Sequence, residues 1–127
     1  MSERVAVVVG GASGIGQAVA GGLADEGYRV VVADRNADGA AARAAELGAP
    51  ATSAAVDVTD EATVAALFEQ TGPVDVVVNT AGFGDFGRIV DLEAERFRAV
   101  VDCCLTGSFL VMKHAGRQLR DGGSLVS

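Results

Sequence analysis

The stretch Val5–Gly16 reads VAVVVGGASGIG, and it decides the fold of this chain. Its short apolar run, rich in β-branched valine, predicts a buried strand. The glycines permit a tight turn, and the helix predicted from Ile15 presents N–H groups that bind anions. Together they predict a pyrophosphate seat for a dinucleotide, made by Gly10, Ser13, Gly14, Ile15 and Gly16. Because glycine-rich turns are common, an ordinary strand-to-helix turn is the alternative for these residues taken alone.

The chain has 127 residues, 50% of them hydrophobic, which suits one domain with a single core. A formal net charge of −7 argues against nucleic acid or an anionic membrane surface as a partner. No apolar run approaches the roughly 20 residues that a membrane span needs, and the N-terminus does not fit a signal peptide. Two adjacent cysteines and one histidine argue against a metal centre and favour a reducing cytoplasm.

Apolar strand patterns alternate with helical patterns along the chain. The strands are predicted at 4–9, 29–33, 52–56 and 74–78, and the helices at 15–26, 38–47 and 60–70. Apolar strands separated by helices form a parallel sheet that is covered on both faces. The predicted fold class is therefore α/β, a doubly wound Rossmann-type sheet in one domain over residues 1–127.

The longest predicted helix covers residues 91–120, with Gly122-Gly123 ending it and a fifth strand opening at Ser124. One mostly apolar face at helical spacing is formed by Phe97, Val100, Val101, Cys104, Leu105, Ser108, Met112, Ala115 and Leu119. The other side carries Cys103, Leu110 and His114. Either a broad core stripe or contact with a second subunit explains this pattern, and we expect His114 at the surface or in such an interface.

Two carboxylates follow predicted strands where a dinucleotide would lie. Asp34 ends the second strand, about 20 residues beyond Gly14, and a carboxylate there accepts hydrogen bonds from the adenosine ribose and repels a 2′-phosphate. This favours NAD over NADP, although Arg35 adds a cation beside it. Asp57 and Val58 end the third strand, in reach of an adenine ring. A solvated loop position is the alternative for Asp34, and a turn or cap position for Asp57.

The fourth strand is followed by Asn79-Thr80-Ala81-Gly82, whose small residues allow a ligand to lie across the sheet edge. We expect the Asn79 amide to tie this strand to its neighbour. The glycines of residues 82–87 predict a loop that can move. Phe83 and Phe86 in that loop either line a substrate mouth or pack within the loop itself.

These motifs, in their order and spacing, resemble the classical short-chain dehydrogenase/reductase family over all 127 residues. The resemblance implies strand order 3-2-1-4-5 and NAD as cofactor, with NADP less favoured. It implies that the glycine turn holds the pyrophosphate and that the remaining parts of the cofactor contact Asp34, Arg35, Asp57, Val58, Asn79, Ala81 and Gly82.

Three positions depart from the family's pattern. Val9 stands where the family usually has Thr, and Thr80 stands where it has a second Asn. Cys104 occupies the helix position of an Asn that helps carry a proton relay. Because a thiol is a weak donor and acceptor, Cys104 replaces that amide poorly.

The resemblance also implies catalytic groups, a Ser after the fifth strand and a Tyr four residues before a Lys. The tyrosine and the lysine of this chain, Tyr28 and Lys113, do not form that pair, so we expect no catalytic residue here and an inactive isolated chain. The expected parent is a longer enzyme, truncated here, that acts on an alcohol or ketone and forms a dimer or tetramer through residues 91–120. A non-catalytic NAD-binding or interaction module, or a degenerate remnant, is the alternative.

Overall fold

The central strand of the sheet is β1 (Val5–Val9), all five residues of which are buried. The computed structural model describes residues 3–127. The other elements are α1 (Gly14–Asp25), β2 (Arg29–Asp34), α2 (Ala37–Leu47), β3 (Thr52–Ala55), α3 (Glu61–Thr71), β4 (Val74–Asn79), α4 (Ala94–Val101), α5 (Gly107–Gly116) and β5 (Leu119–Val126). Five parallel strands lie in the order β3-β2-β1-β4-β5, which confirms the predicted doubly wound sheet.

Alternate residues of β1 face opposite sides of the sheet, so the chain builds a core on each face. Val7 packs on one face with Phe68 of α3. Val8 packs on the other face with Ala20 of α1 and Ala40 of α2. Burying each such valine contributes about 1.5–3 kcal/mol to the stability of the fold. The central strands therefore give rigid support to the loops at their carboxyl ends.

The prediction of a single helix over residues 91–120 is wrong, because several elements cover this segment. A π-helical turn over Asp102–Thr106 separates α4 from α5, and α5 ends at Gly116. Beside this turn the Ser108 hydroxyl donates a 2.7 Å hydrogen bond to the Cys104 carbonyl. Such a side-chain bond to the preceding turn of a helix bends or loosens it, and apolar periodicity does not report it.

The fifth strand begins at Leu119 rather than at Ser124, so the predicted role of Gly122-Gly123 as a helix end is also wrong. Val74 pairs with Leu119 and Val76 pairs with Ser124, so β5 advances five residues while β4 advances two. The extra residues bulge out of the ladder, and Gly122 adopts a φ of +80° that glycine tolerates. Pairing with a distant strand, rather than local sequence, sets this boundary.

The apolar side chains of the segment predicted as one long helix divide between the core and the outside, and they do not follow the predicted face. Leu110, Val111 and Ala115 of α5 are buried against the sheet. The large apolar side chains left exposed on α4, the π-helical turn and α5 are those of Phe97, Leu105, Phe109 and Met112, which we call the outer apolar face. Across residues 3–127, none of the helices is long and apolar enough to cross a membrane.

His114 is buried, with 8% of its surface exposed, so its expected surface or interface position is wrong. Its Nε2 lies 2.8 Å from a carboxylate oxygen of Glu61 in α3. The same oxygen accepts a 2.7 Å hydrogen bond from Lys113 Nζ. This cluster joins the first residue of α3 to α5.

Candidate functional site

A cavity of about 700 Å³ opens at the carboxyl ends of β1 to β4. It brings together most of the residues singled out in the sequence: Gly10, Ser13, Gly14, Ile15, Gly16, Asp34, Arg35, Asp57, Val58, Ala81 and Gly82. Phe83 also lines it. In parallel sheets this edge is where ligands bind, because the loops there leave a crevice between the first strand and the fourth.

The glycine turn is held against the sheet from β2. The N–H groups of Gly10 and Gly11 both donate to the Ala33 carbonyl, at 2.8 and 3.2 Å. Gly10 has a φ of +82° and Gly14 a φ of +56°, in the left-handed region that glycine adopts at little cost. The turn therefore needs glycine at these two positions for its backbone conformation.

Gly16 is required for a different reason, a close approach between α1 and the turn. A Cβ built on Gly16 would lie 2.5 Å from Thr80 Oγ1 and would also overlap the Gly10 carbonyl. Ser13 is the N-cap residue of α1, and its side chain makes no capping bond to that helix. The first N–H groups of α1 therefore remain free of a side-chain cap where they meet the cavity, as an anion site requires.

Asp34 ends β2 with its carboxylate held by backbone. Oδ2 accepts a 3.1 Å hydrogen bond from Ala12 N, and Oδ1 accepts a 2.9 Å bond from Asn36 N. Each oxygen keeps further lone-pair capacity for a donor in the cavity. Arg35 is exposed at the rim of the cavity.

Asp57 performs the turn role that the sequence left open, and it also lines the cavity. Its Oδ1 accepts the Thr59 hydroxyl at 2.7 Å and the Thr59 N–H at 2.9 Å, and these bonds hold the pKa of Asp57 below its ordinary value. Val58 is buried, and its side chain packs so closely on Gly107 that a Cβ there would lie 2.7 Å away. The Val58 side chain is thereby fixed beside the cavity.

Asn79 lies behind the cavity wall rather than in it. Its Nδ2 is 3.3 Å from the hydroxyls of Ser108 and of Ser127, which follows β5, and its Oδ1 accepts the Ala81 N–H at 3.1 Å. The amide thus ties the end of β4 to its neighbours, as expected. Through Ala81 it also fixes the backbone of the wall.

Sequence reasoning missed the side of the cavity that the helices supply. Ala99 of α4 and Asp102 and Cys103 of the π-helical turn line it. Their spacing of three to four residues places them on one helical face, which is the signal that could have found them. Burial raises the pKa of the Cys103 thiol, whereas the Cys104 thiol is exposed and lies 3.5 Å from the Phe83 carbonyl.

The tyrosine and the lysine of the chain lie away from the cavity. Arg4 stacks over the Tyr28 ring, 4.3 Å from its centroid, at the start of β2. Lys113 bonds to Glu61. The described residues lining the cavity therefore include no phenol or amine for proton transfer.

Comparison with known proteins accounts for this arrangement. The family model described as short chain dehydrogenase matches residues 4–127. The chain belongs to this family. Members of the family bind NAD(P). Three features of this chain fit such a cofactor: the glycine turn, the uncapped N-terminus of α1 and the Asp34 carboxylate.

Curated and solved relatives extend beyond the residues present here. Sorbitol dehydrogenase of Cereibacter sphaeroides is 36% identical over 97% of this chain and 50% of its own length. Cis-4-hydroxycyclohexanecarboxylate dehydrogenase of Sinomonas cyclohexanicum is 41% identical over 97% of this chain and 52% of its length. The chain therefore spans about half the length of the curated relatives it matches.

Two solved structures superpose closely on this short-chain dehydrogenase chain. A short-chain type dehydrogenase/reductase from Mycobacterium ulcerans gives a TM-score of 0.87 at 34% identity, over 98% of this chain and 51% of its own. Pseudomonas aeruginosa RhlG, solved as an active-site complex with NADP, gives 0.88 at 28% identity over the same shares of the two chains.

Proposed function

We propose that this chain binds NAD and forms the cofactor-binding part of an oxidoreductase that moves hydride between the nicotinamide and an alcohol or carbonyl carbon. One observation carries the proposal. The glycine turn, the uncapped N-terminus of α1 and the Asp34 carboxylate face a single cavity at the carboxyl ends of parallel strands. Those three features match the pyrophosphate and the adenosine ribose of a dinucleotide.

In this proposal the chain's own residues bind and orient the cofactor. The turn from Gly10 to Gly16 receives the pyrophosphate, because the first N–H groups of α1 carry no side-chain cap and lie at the cavity. Asp57 and Val58 contact the adenine, and Ala81 and Gly82 border the nicotinamide half. Asn79 acts from behind, through its bond to the Ala81 N–H. The bound NAD supplies the hydride acceptor.

The preference for NAD over NADP rests on Asp34. A 2′-phosphate adds a charge of about −2 beside this carboxylate, whereas the 2′-hydroxyl of NAD donates a hydrogen bond to it. Arg35 is exposed at the rim and offers a phosphate partner, which weakens the discrimination. The P. aeruginosa relative is solved with NADP, so the preference comes from this chain's own residues rather than from the comparison.

The wider properties of the protein follow from the same residues. Phe83 in the cavity wall and the exposed Phe86 give a small alcohol or ketone an apolar entrance. The outer apolar face fits a homodimer or tetramer contact. The free Cys103 and Cys104 suit a reducing cytoplasm.

A second candidate is a non-catalytic NAD-binding module. It is favoured by Cys104 at the relay position and by the positions of Tyr28 and Lys113, neither of which lines the cavity. In both candidates the isolated 127-residue chain is inactive, because the described residues that line the cavity include no phenol or amine for proton transfer. Alcohol-dependent reduction of NAD⁺ by any longer form of the protein separates the two.

Calorimetric titration of the chain with NAD⁺ and NADP⁺ tests the cofactor assignment. We expect NAD⁺ to bind more tightly, and Asp34→Ala to lower the NAD⁺/NADP⁺ affinity ratio by about tenfold or more, the loss expected for hydrogen bonds to a charged acceptor. Asp38→Ala on α2 removes the same charge outside the cavity lining and leaves the ratio unchanged. Equal ratios in both variants would remove the ribose role, and no binding at all would favour the degenerate remnant.

A further inference from the structure

We propose that Thr80 is a positioning residue for the pyrophosphate-binding turn, with its hydroxyl fastening that turn to β4. The inference rests on the proposed function, since it concerns the same cofactor site. Thr80 lies just beyond β4 and lines the cavity. It stands where the family usually has a second asparagine, so in this chain a hydroxyl replaces an amide at this position.

The hydroxyl of Thr80 bridges two carbonyls at the strand-to-turn junction. Oγ1 lies 2.9 Å from the Val9 carbonyl and 3.3 Å from the Gly10 carbonyl. The Thr80 N–H also donates to Val9 O, at 2.8 Å. Thr80 therefore fastens the last residue of β1 and the first residue of the turn, using both its backbone and its side chain.

The packing around Oγ1 shows how little freedom the turn has. A Cβ built on Gly10 would lie 2.6 Å from Oγ1, and one built on Gly16 would lie 2.5 Å from it. The oxygen thus fills the space between the turn and the first residues of α1. A hydroxyl fits there and bonds to the carbonyls, whereas a methyl group has a larger radius and no hydrogen-bonding capacity.

Thr80 supplies one of two opposing anchors on the turn. From β2, the Ala33 carbonyl accepts the N–H groups of Gly10 and Gly11. From β4, Thr80 holds the carbonyls of Val9 and Gly10. Held on both sides, the turn keeps the uncapped first N–H groups of α1 at the cavity before any ligand arrives, and such preorganisation strengthens binding.

The test compares three variants by calorimetric titration with NAD⁺. Thr80→Ala removes the hydroxyl and its support, and we expect the Kd to rise about five- to tenfold, the effect of one hydrogen bond. Thr80→Ser retains the hydroxyl and is expected to bind within about twofold of wild type. Thr71→Ala is the matched control, because its hydroxyl also lies in reach of backbone carbonyls, those of Phe68 and Gly72, away from the cavity.

The rate of backbone amide hydrogen exchange in residues 10–16 provides a second readout. We expect this rate to rise in Thr80→Ala and to stay unchanged in Thr71→Ala. Equal Kd values for these two variants, or a Thr80→Ser variant as weak as Thr80→Ala, would overturn the role of Thr80 while leaving the NAD site intact. A wild-type chain that binds no NAD⁺ overturns the proposed function and this role together.

Discussion

Gly16→Ala is the sharpest perturbation of the site, because the added carbon meets atoms that cannot move aside. Its Cβ would lie 2.5 Å from Thr80 Oγ1 and 2.7 Å from the Gly10 carbonyl carbon, where real Cβ contacts are not shorter than 3.0 Å. The Gly10 atoms belong to a turn that is bonded to Ala33, so the turn or α1 must shift. Overpacking of this kind costs about 1–3 kcal/mol, against a gain of about 0.5–1 kcal/mol from alanine in a helix.

The expected result is a net loss of about 1–2 kcal/mol of unfolding free energy and a weakening of NAD⁺ binding by more than tenfold. Urea denaturation measures the first quantity and calorimetric titration the second. Gly22→Ala in the same helix is the matched control, because a Cβ there has nothing within 4 Å. It should gain up to about 1 kcal/mol and bind normally. If Gly16→Ala matched Gly22→Ala in both measurements, the close approach of turn and helix would be refuted.

Two further predictions concern the α3–α5 cluster and the outer apolar face. Lys113 and then His114 lower the pKa of Glu61 from its ordinary 4.5, so their stabilisation is complete above about pH 4.5 and is lost as pH falls through the depressed value. Glu61→Gln should therefore flatten the fall in urea midpoint between pH 6 and pH 3, whereas Glu69→Gln on the same helix should not; parallel curves for the two variants would contradict this. If the outer apolar face joins subunits, Leu105→Glu should lower the molecular mass measured by light scattering. Arg117→Glu, beyond the end of α5, should leave that mass unchanged. If the wild type is an oligomer and Leu105→Glu has the same mass, the subunit contact lies elsewhere.

The features that sequence predicted are those written in neighbouring residues. The apolar run before Gly10, the glycine spacing and the position of Asp34 after β2 each depend on a few adjacent residues, and the structure places them around one cavity. These signals are local because strands, turns and helix starts are decided within a few residues.

What sequence did not predict depends on partners far along the chain. His114 is buried because Glu61, 53 residues earlier, lies against it. The glycines at 122–123 form a bulge because β5 must pair with β4, which precedes it by more than 40 residues. Local periodicity carries no information on such pairings. The prediction therefore made the helix over residues 91–120 too long and the fifth strand too short.

The two sides of the cavity are built differently, and this difference bears on function. On the sheet side, the turn is fixed between neighbouring strands by hydrogen bonds that the Ala33 carbonyl accepts and by one that the Thr80 hydroxyl donates. On the helix side, the wall comes from α4 and a π-helical turn, and the loop beside it is tied by an ion pair between the exposed Arg96 and the largely buried Asp85. Solvent reaches the Arg96 side of this pair and screens its attraction, so we expect that wall to be the more deformable one. We therefore expect the turn to keep its conformation when a ligand enters the cavity, and the opposite wall to adjust to that ligand.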